Sequence, residues 1–474
     1  IRWILDMMRG HEFAGRPVAD ATRSVADDGT VDVELVVAGP NERTLDLDDL
    51  RGVLLGDGRA GRTIRVRQEL PPTRNVLVTV PEVPGFGWRT ITPVTGPSPG
   101  TEVVGERHGL ANEHLRVAVD GVDGTLTVTT ADGVEITGAN RLVDGGDGGD
   151  TYNYSPPVQD HLVERPEFVR VRTLESGPVR ARVQIDALYR WPMHAVGDHR
   201  SCGRRSDATV LSEVRTTLEL RAHERFLRVH VELDHRVRDH RLRAHFPLPR
   251  RVTGSHAECA FAVVHRGLRA EGGPHEVALP TFVSRRFVDC SDGAAGLALL
   301  HDGLLEYEVV DDGGELALTL LRATGYLSRA EPTFRPNPAG PLLPVRGAQL
   351  QKPLAFDYAL LPHTGSWSDA DLYAAADDFL VPLEEHRAGD RPGGRDRRGQ
   401  TLAVSGAVVS AVTHEAGGLA IRLFNPHRVA RVATIEREGA PVTGWVVDLL
   451  GAPLEPFSGE VGLGPAEIVT LRLD

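Results

Sequence analysis

Lysine is all but absent from this chain of 474 residues: Lys352 is the sole lysine among 53 basic residues, the rest being arginine. Cysteine is scarce too. Cys202, Cys259 and Cys290 are the 3 cysteines, odd in number, widely spaced and without CxxC spacing, so they exclude a disulfide framework and a thiolate zinc ribbon. They point to a reducing compartment, and a cytoplasmic location is the expectation. No run approaches 18 consecutive apolar residues, the length that a membrane-spanning helix needs. Clustered cations in excess are missing as well: 53 basic against 66 acidic residues leave a formal charge of −13. That balance argues against a nucleic-acid partner, because counterion release requires a concentrated basic surface. Signatures of common enzyme classes also fail to appear. There is no GxGxxG after a strand, no GxxxxGK[ST], no HExxH and no GxSxG, so nucleotide, zinc-protease and serine-hydrolase chemistry lack their motifs.

What is present is punctuation. With 51 glycines and 32 prolines, the chain favours short strands and turns over long helices. His114–Gly138 holds three alternating runs divided by Asp-Gly turns: Leu115, Val117 and Val119, then Leu126 and Val128, then Val134 and Ile136. Period-two alternation with Asp-Gly between runs predicts antiparallel hairpins. The same grammar recurs in Val179–Trp191, in Thr216–Val237, in Leu304–Ala323 with Asp-Asp-Gly-Gly at its turn, and through 401–474. Helical signals are few. Asp46–Leu55 carries acidic residues at its start, which suits the helix dipole. In Ser368–Pro382, Ser368 offers an N-cap and Leu372, Ala375, Ala376, Phe379 and Leu380 fall at helical spacing. The pattern predicts an all-β, mostly antiparallel fold with few short helices.

Thr95–Gly105 and the apolar-free Gly389–Gln400 read as boundaries, the latter as an exposed linker. Three β-rich units follow: 1–97, 98–390 and 398–474. The middle one is too long for an ordinary immunoglobulin-type sandwich, so a large two-sheet sandwich is expected there. The opening residues, IRWILDMMRG, read as the inside of a folded element, and the expectation is a piece of a longer protein.

Two clusters could carry chemistry. His235, His240 and His245 lie five residues apart. On one continuous strand His240 would face away from the other two, and the three would span about 30 Å, too far for a shared metal unless a turn at Arg238-Asp239 intervenes. No metal site is expected. The second cluster is Asp144–Pro157, DGGDGGDTYNYSPP. Its glycines free the backbone, two prolines stiffen the exit, and Tyr152 and Tyr154 each combine an apolar ring with a hydroxyl that can meet a sugar.

Several phrases resemble one family: GLANEHLRVAVDGVDGTLTV, GDTYNYSPP, AFAVVHRGLR, LPTFVSRRFVDCSDGAAGLALLHDGLLEYEV and QLQKPLAFDYALLPHTGSW. Together with the later LFNP and PAEIVTLRLD strands they are similar to the C-terminal half of glycoside hydrolase family 38, the α-mannosidases, and DTYNYSPP resembles the bacterial mannosylglycerate hydrolase branch. The resemblance implies a galactose-mutarotase-like supersandwich flanked by smaller β-sandwiches. It also implies a retaining, zinc-assisted hydrolysis of α-mannosides or mannosylglycerate whose aspartate nucleophile, acid/base carboxylate and zinc ligands sit on a separate N-terminal domain, the chain's expected partner. This chain would then hold no catalytic residue and no zinc, and would complete the substrate wall through Tyr152, Tyr154 and Arg266. Arg269 is a weaker match and His363 structural support. No nucleic acid or membrane is implied, and a homo-oligomer is compatible. Two other readings stay open: a stand-alone carbohydrate-binding module, and a mutarotase-like isomerase, which would need two histidines and a carboxylate to converge.

Overall fold

The computed structural model describes residues 2–38, 43–69, 76–80, 83–91, 103–274, 277–335, 337–385, 396–415 and 418–474. They divide into two compact units, Ile1–Val78 with Leu383–Asp396, and Thr79–Pro382 with Arg397–Asp474. The all-β expectation holds: strands dominate, almost all antiparallel, with three α-helices among the described residues. The boundary phrase at 95–105 falls largely outside the described residues, as does most of the 389–400 linker. Its end is not a free linker, however, since Arg398–Gln400 pairs with Gly87–Arg89 as a short strand.

In the smaller unit, Val31–Val37 alternates inward Val31, Val33 and Leu35 with outward Asp32 and Glu34. It pairs in parallel with Ile64–Glu69, and the helix Asp48–Arg59 connects the two. That helix starts two residues later than its acidic run suggests. The Asp46 carboxylate accepts the backbone N–H of Asp48 at 3.0 Å, so Asp46 serves the helix from outside its first turn.

The larger unit is built on the two-sheet sandwich. Six of its strands matter for the site: β1 (Arg141–Gly146), β2 (His240–Pro247), β3 (Ala262–Gly267), β4 (Thr281–Val283), β5 (Glu306–Val310) and β6 (Glu315–Ala323). One sheet has the order β1-β2-β6-β5-β4. The other has nine strands, running from Phe168–Ser176 at one edge to β3 at the other. Between them lies a continuous apolar core. Leu242, Ala244, Phe246, Tyr307, Leu316 and Leu318 face Val183, Leu218, Val229, Leu299, Tyr358 and Leu360, all buried. Period-two alternation puts these residues inside and throws Arg241, Arg243, Glu306, Glu308 and Glu315 onto the outer face of the five-stranded sheet.

The hairpins foreseen in 114–138 form as Leu115–Val119, Leu126–Thr130 and Glu135–Ala139. The strands from Leu402–Ser405 to Ile468–Leu473 form one further nine-stranded sheet around a core of Ile421, Leu423, Ile435, Leu471 and others. We propose a division into three units, 1–97, 98–390 and 398–474, the last two of which share a core where Phe424 packs on Phe261 and Tyr373 within one compact unit. The helix after the large sandwich spans Leu372–Leu380, and Ser368 does not cap it. Ser366 and Asp369 close a tight turn on each other at 2.7 Å, which holds the chain out of helix until Asp371.

The Asp-Asp-Gly-Gly turn between β5 and β6 illustrates how tightly the sheet ends are fitted. Gly313 has φ +83°, and a Cβ there would lie 2.0 Å from the Val252 carbonyl oxygen. Gly313→Ala therefore meets both a disfavoured backbone region and a backbone overlap, and should cost about 2–3 kcal/mol in urea unfolding at pH 7. Gly303→Ala, at φ +71° with open space around it, should cost less.

Candidate functional site

The glycine-rich loop leaves β1 and folds back over the outer face of the five-stranded sheet. Its three aspartates, Asp144, Asp147 and Asp150, are completely buried. A buried carboxylate is tolerable only when paired and hydrogen-bonded, and each of these has its own guanidinium. Arg205 donates to Asp144 at 2.5 Å, Arg322 to Asp147 at 2.8 Å and Arg335 to Asp150 at 2.5 Å. Backbone amides complete the shell: Gly149 donates to Asp147 at 2.9 Å, and Tyr152, Asn153 and Arg329 donate to Asp150 at 2.8–3.0 Å. Burial works to raise the Asp150 pKa, but Arg335 and the amides outweigh it and hold the carboxyl below its ordinary range. The glycines are required by this winding. A Cβ on Gly149 would sit 2.1 Å from the Asn153 carbonyl oxygen.

The loop presents two tyrosines differently. Tyr154 lies flat over cations, its ring 4.5 Å from the Arg241 guanidinium carbon and 5.9 Å from that of Arg322. Burial pushes its hydroxyl up to about 12. Arg241 is itself pinned by Glu306 at 2.8 Å and by Thr319, and Arg243 by Glu308 at 2.7 Å. Tyr154 is thus a structural plate over a charged sheet face. Tyr152 is 53% exposed, with Arg335 5.8 Å from its ring centre. Its hydroxyl end lies beside Gly340, and the rest of the side chain is open to solvent.

Arg266 is placed elsewhere. It stacks on Phe282 of β4 at 5.3 Å and reaches the Cys259 sulfur at 3.8 Å. No contact among the described residues joins it to either tyrosine, because β1 and β4 are opposite edges of the sheet. Arg269 lines the same cavity as Arg266. His363 Nε2 donates to the carboxylate of buried Asp289 at 2.9 Å, a pairing that outweighs burial and raises the His363 pKa. That is structural support for the strand it sits on.

The histidine geometry overturns the continuous-strand picture. One strand ends at Asp234 and β2 begins at His240, with Asp239 at φ 52° in the turn between. His235 and His240 therefore stack, ring centres 4.8 Å apart with their Nε2 atoms at 2.6 Å. His245 faces the other way, onto Glu315 at 3.0 Å. The Leu350 carbonyl, 2.9 Å from His235 Nδ1, can only accept, so that nitrogen carries the proton and His235 Nε2 receives one from His240. His240 Nδ1 in turn shares a proton with Asp144 across 2.5 Å. Two histidines and a carboxylate do converge, a juxtaposition the sequence spacing did not reveal. Both rings and the carboxylate are fully buried, so no sugar reaches them. Their nitrogens are committed to this chain of hydrogen bonds, and no group of three or more His, Cys, Asp or Glu among the described residues has the geometry to hold a metal.

Residues 110–338 match the family model for the glycosyl hydrolases family 38 C-terminal domain. A putative mannosylglycerate hydrolase from Halalkalibacterium halodurans is 27% identical over 402 residues, covering 79% of this chain and 42% of that protein. An α-mannosidase from Enterococcus faecalis V583 superposes with a TM-score of 0.69 at 22% identity, covering 78% of this chain and 43% of its own. A second Enterococcus faecalis structure, of a protein in glycosyl hydrolase family 38, gives 0.68 at 22% identity, with 81% and 45% covered. The chain spans under half the length of these relatives. No helix among its described residues is long and apolar enough to cross a membrane.

Two outcomes follow for the buried network. Arg335→Met leaves Asp150 charged and unpaired, and should lower unfolding free energy by about 3–5 kcal/mol at pH 7; a change under 1 kcal/mol in urea titration would show that the pair does not hold the loop. Burial and the neighbouring His240 push His235 from 6.5 down to about 4. Its neutral form is thus favoured by folding, so its contribution is complete above pH 6.5 and is lost as pH falls towards 4, by about 2–4 kcal/mol. Unfolding curves at pH 7, 5.5 and 4.5 should show a steeper loss for the native chain than for His235→Asn.

Proposed function

We propose that the chain, whose residues 110–338 match the family 38 C-terminal domain model, is the scaffolding half of an α-mannoside hydrolase, one that shapes the sugar site without supplying the bond-breaking groups. The observation that carries this is the loop Asp144–Pro157. Three buried aspartate–arginine pairs fix a backbone whose outward product is a half-exposed tyrosine, Tyr152. A rigid loop presenting an aromatic ring and a free hydroxyl suits the apolar face and the hydroxyl rim of a hexose. Tyr154 acts one layer beneath, holding the loop against Arg241 and Arg322 rather than touching substrate. Arg266 borders substrate only if the sugar or its aglycone extends across the sheet.

The nucleophile, the acid/base carboxylate and the zinc belong, in this reading, to a catalytic portion that the longer relatives have room for and this chain does not represent. The described residues here do not fit a zinc site, because their buried histidine and carboxylate donors are already committed to one another. What this half contributes is orientation: a hydroxyl held at a fixed point raises the fraction of bound sugar in a reactive pose. The substrate is an α-mannoside, with mannosylglycerate the leading candidate, and the compartment a reducing one.

The purified chain should show no turnover of an aryl α-mannoside above background and no binding of mannose tighter than millimolar. In the full-length enzyme, Tyr152→Ala should lower kcat/KM by about 10–100-fold, the worth of one or two hydrogen bonds and a ring contact, with an unchanged melting temperature. Enzyme-like turnover by the isolated chain would refute the assignment.

A further inference from the structure

Almost every arginine on the outer face of the five-stranded sheet is matched with a carboxylate: Arg141 with Glu315, Arg241 with Glu306, Arg243 with Glu308 and Arg322 with Asp147. Beyond β4 the pattern breaks. A cavity of about 540 Å³ opens there, walled by His265 and Arg266 at the end of β3, by the following turn with Arg269 and Glu271, and by Phe282 of β4. Arg266 touches no carboxylate among the described residues. Its neighbours are the Cys259 sulfur and the face of Phe282, and its Nε is buried without a hydrogen-bond partner. Arg269, exposed, has no ion pair among the described residues. Among the described lining residues, two guanidiniums stand against the one carboxylate of Glu271.

We propose that this cavity is a binding site for a small molecule bearing an oxyanion, a carboxylate or a phosphate, anchored by Arg266 and Arg269. An unpaired buried donor is costly unless something accepts from it, and a guanidinium offers its fork of N–H groups to two oxygens of one anion. The cavity is of a size that encloses a substituted monosaccharide. Phe282 supplies an apolar wall and holds the Arg266 plane by stacking on it.

The site is separate from the tyrosine loop. Tyr154 rests on β2 and β6, and β4 lies two to three strands further across, roughly 10–14 Å at 4.8 Å per strand. The proposal therefore does not require that the chain take part in glycoside hydrolysis, and it is tested without any hydrolase activity.

The test is isothermal titration of the whole chain at low salt with three probes: inorganic phosphate, D-glycerate and methyl α-mannoside. The expected result is saturable binding of at least one of the two anions, with the neutral mannoside giving none. Which anion binds more tightly tells a phosphate site from a carboxylate site. Arg269→Gln alters an exposed side chain and leaves the fold intact, to be checked by its melting temperature; it should weaken anion binding at least tenfold. Arg266→Met should weaken it at least as much. Absence of saturable anion binding in the native chain, or binding unchanged in Arg269→Gln, overturns the proposal.

Discussion

Three carboxylates driven completely out of water, each closed by an arginine, are the constraint on which the rest of the site depends. Asp144, Asp147 and Asp150 occur at every third position of a glycine-rich run, and the run could pass for a surface cation-binding loop. Instead Arg205, Arg322 and Arg335 occupy the space a cation would take. Charge balance of this kind does not add much net stability against an apolar equivalent, but it fixes geometry, because each guanidinium fork accepts only a narrow range of carboxylate positions. The consequence is a long, glycine-rich segment with one defined path. Tyr152 emerges from it towards solvent and Tyr154 beneath it.

The hairpins were legible because alternation and Asp-Gly turns are local. Leu115, Val117 and Val119 face inward for a reason that can be read from five residues. The large sandwich was legible from length and from the repetition of that pattern. What escaped were features decided by chain segments far apart. His235 and His240 are five residues apart, yet their meeting depends on a left-handed turn at Asp239 and on a carboxylate from β1. The partners of the loop aspartates come from residues 205 to 335, which no window of sequence connects. Ser368 failed as a cap because Ser366 and Asp369 had already used the turn for themselves. Family resemblance supplied Tyr152, Tyr154 and Arg266 as a set. The fold distributes them as one exposed ring, one half-buried plate and one cation at the far edge.

The scarcity of lysine takes on meaning in this setting. The outer face of the five-stranded sheet works as a two-dimensional lattice of guanidinium and carboxylate, in which Arg241 contacts Glu306, Glu308 and Thr319 while carrying Tyr154 on its face. An ammonium group is a point charge and would satisfy one of those contacts without offering a flat surface to the ring. Where the lattice ends, at Arg266 and Arg269, the same side chain is left with donors to spare.

The loop also has a place in time. Asp150 is bound by Arg335, 185 positions further along the chain, and Asp147 by Arg322, 175 positions further. As the polypeptide emerges from the ribosome, these acids remain hydrated until nearly all of the central sandwich has been translated. A nascent chain halted before Arg322 would lack both the cation that closes Asp147 and the later strand Pro353–Thr364, which joins the two halves of the nine-stranded sheet. Sheet and loop are therefore completed together, by the last segments of the central sandwich to be made.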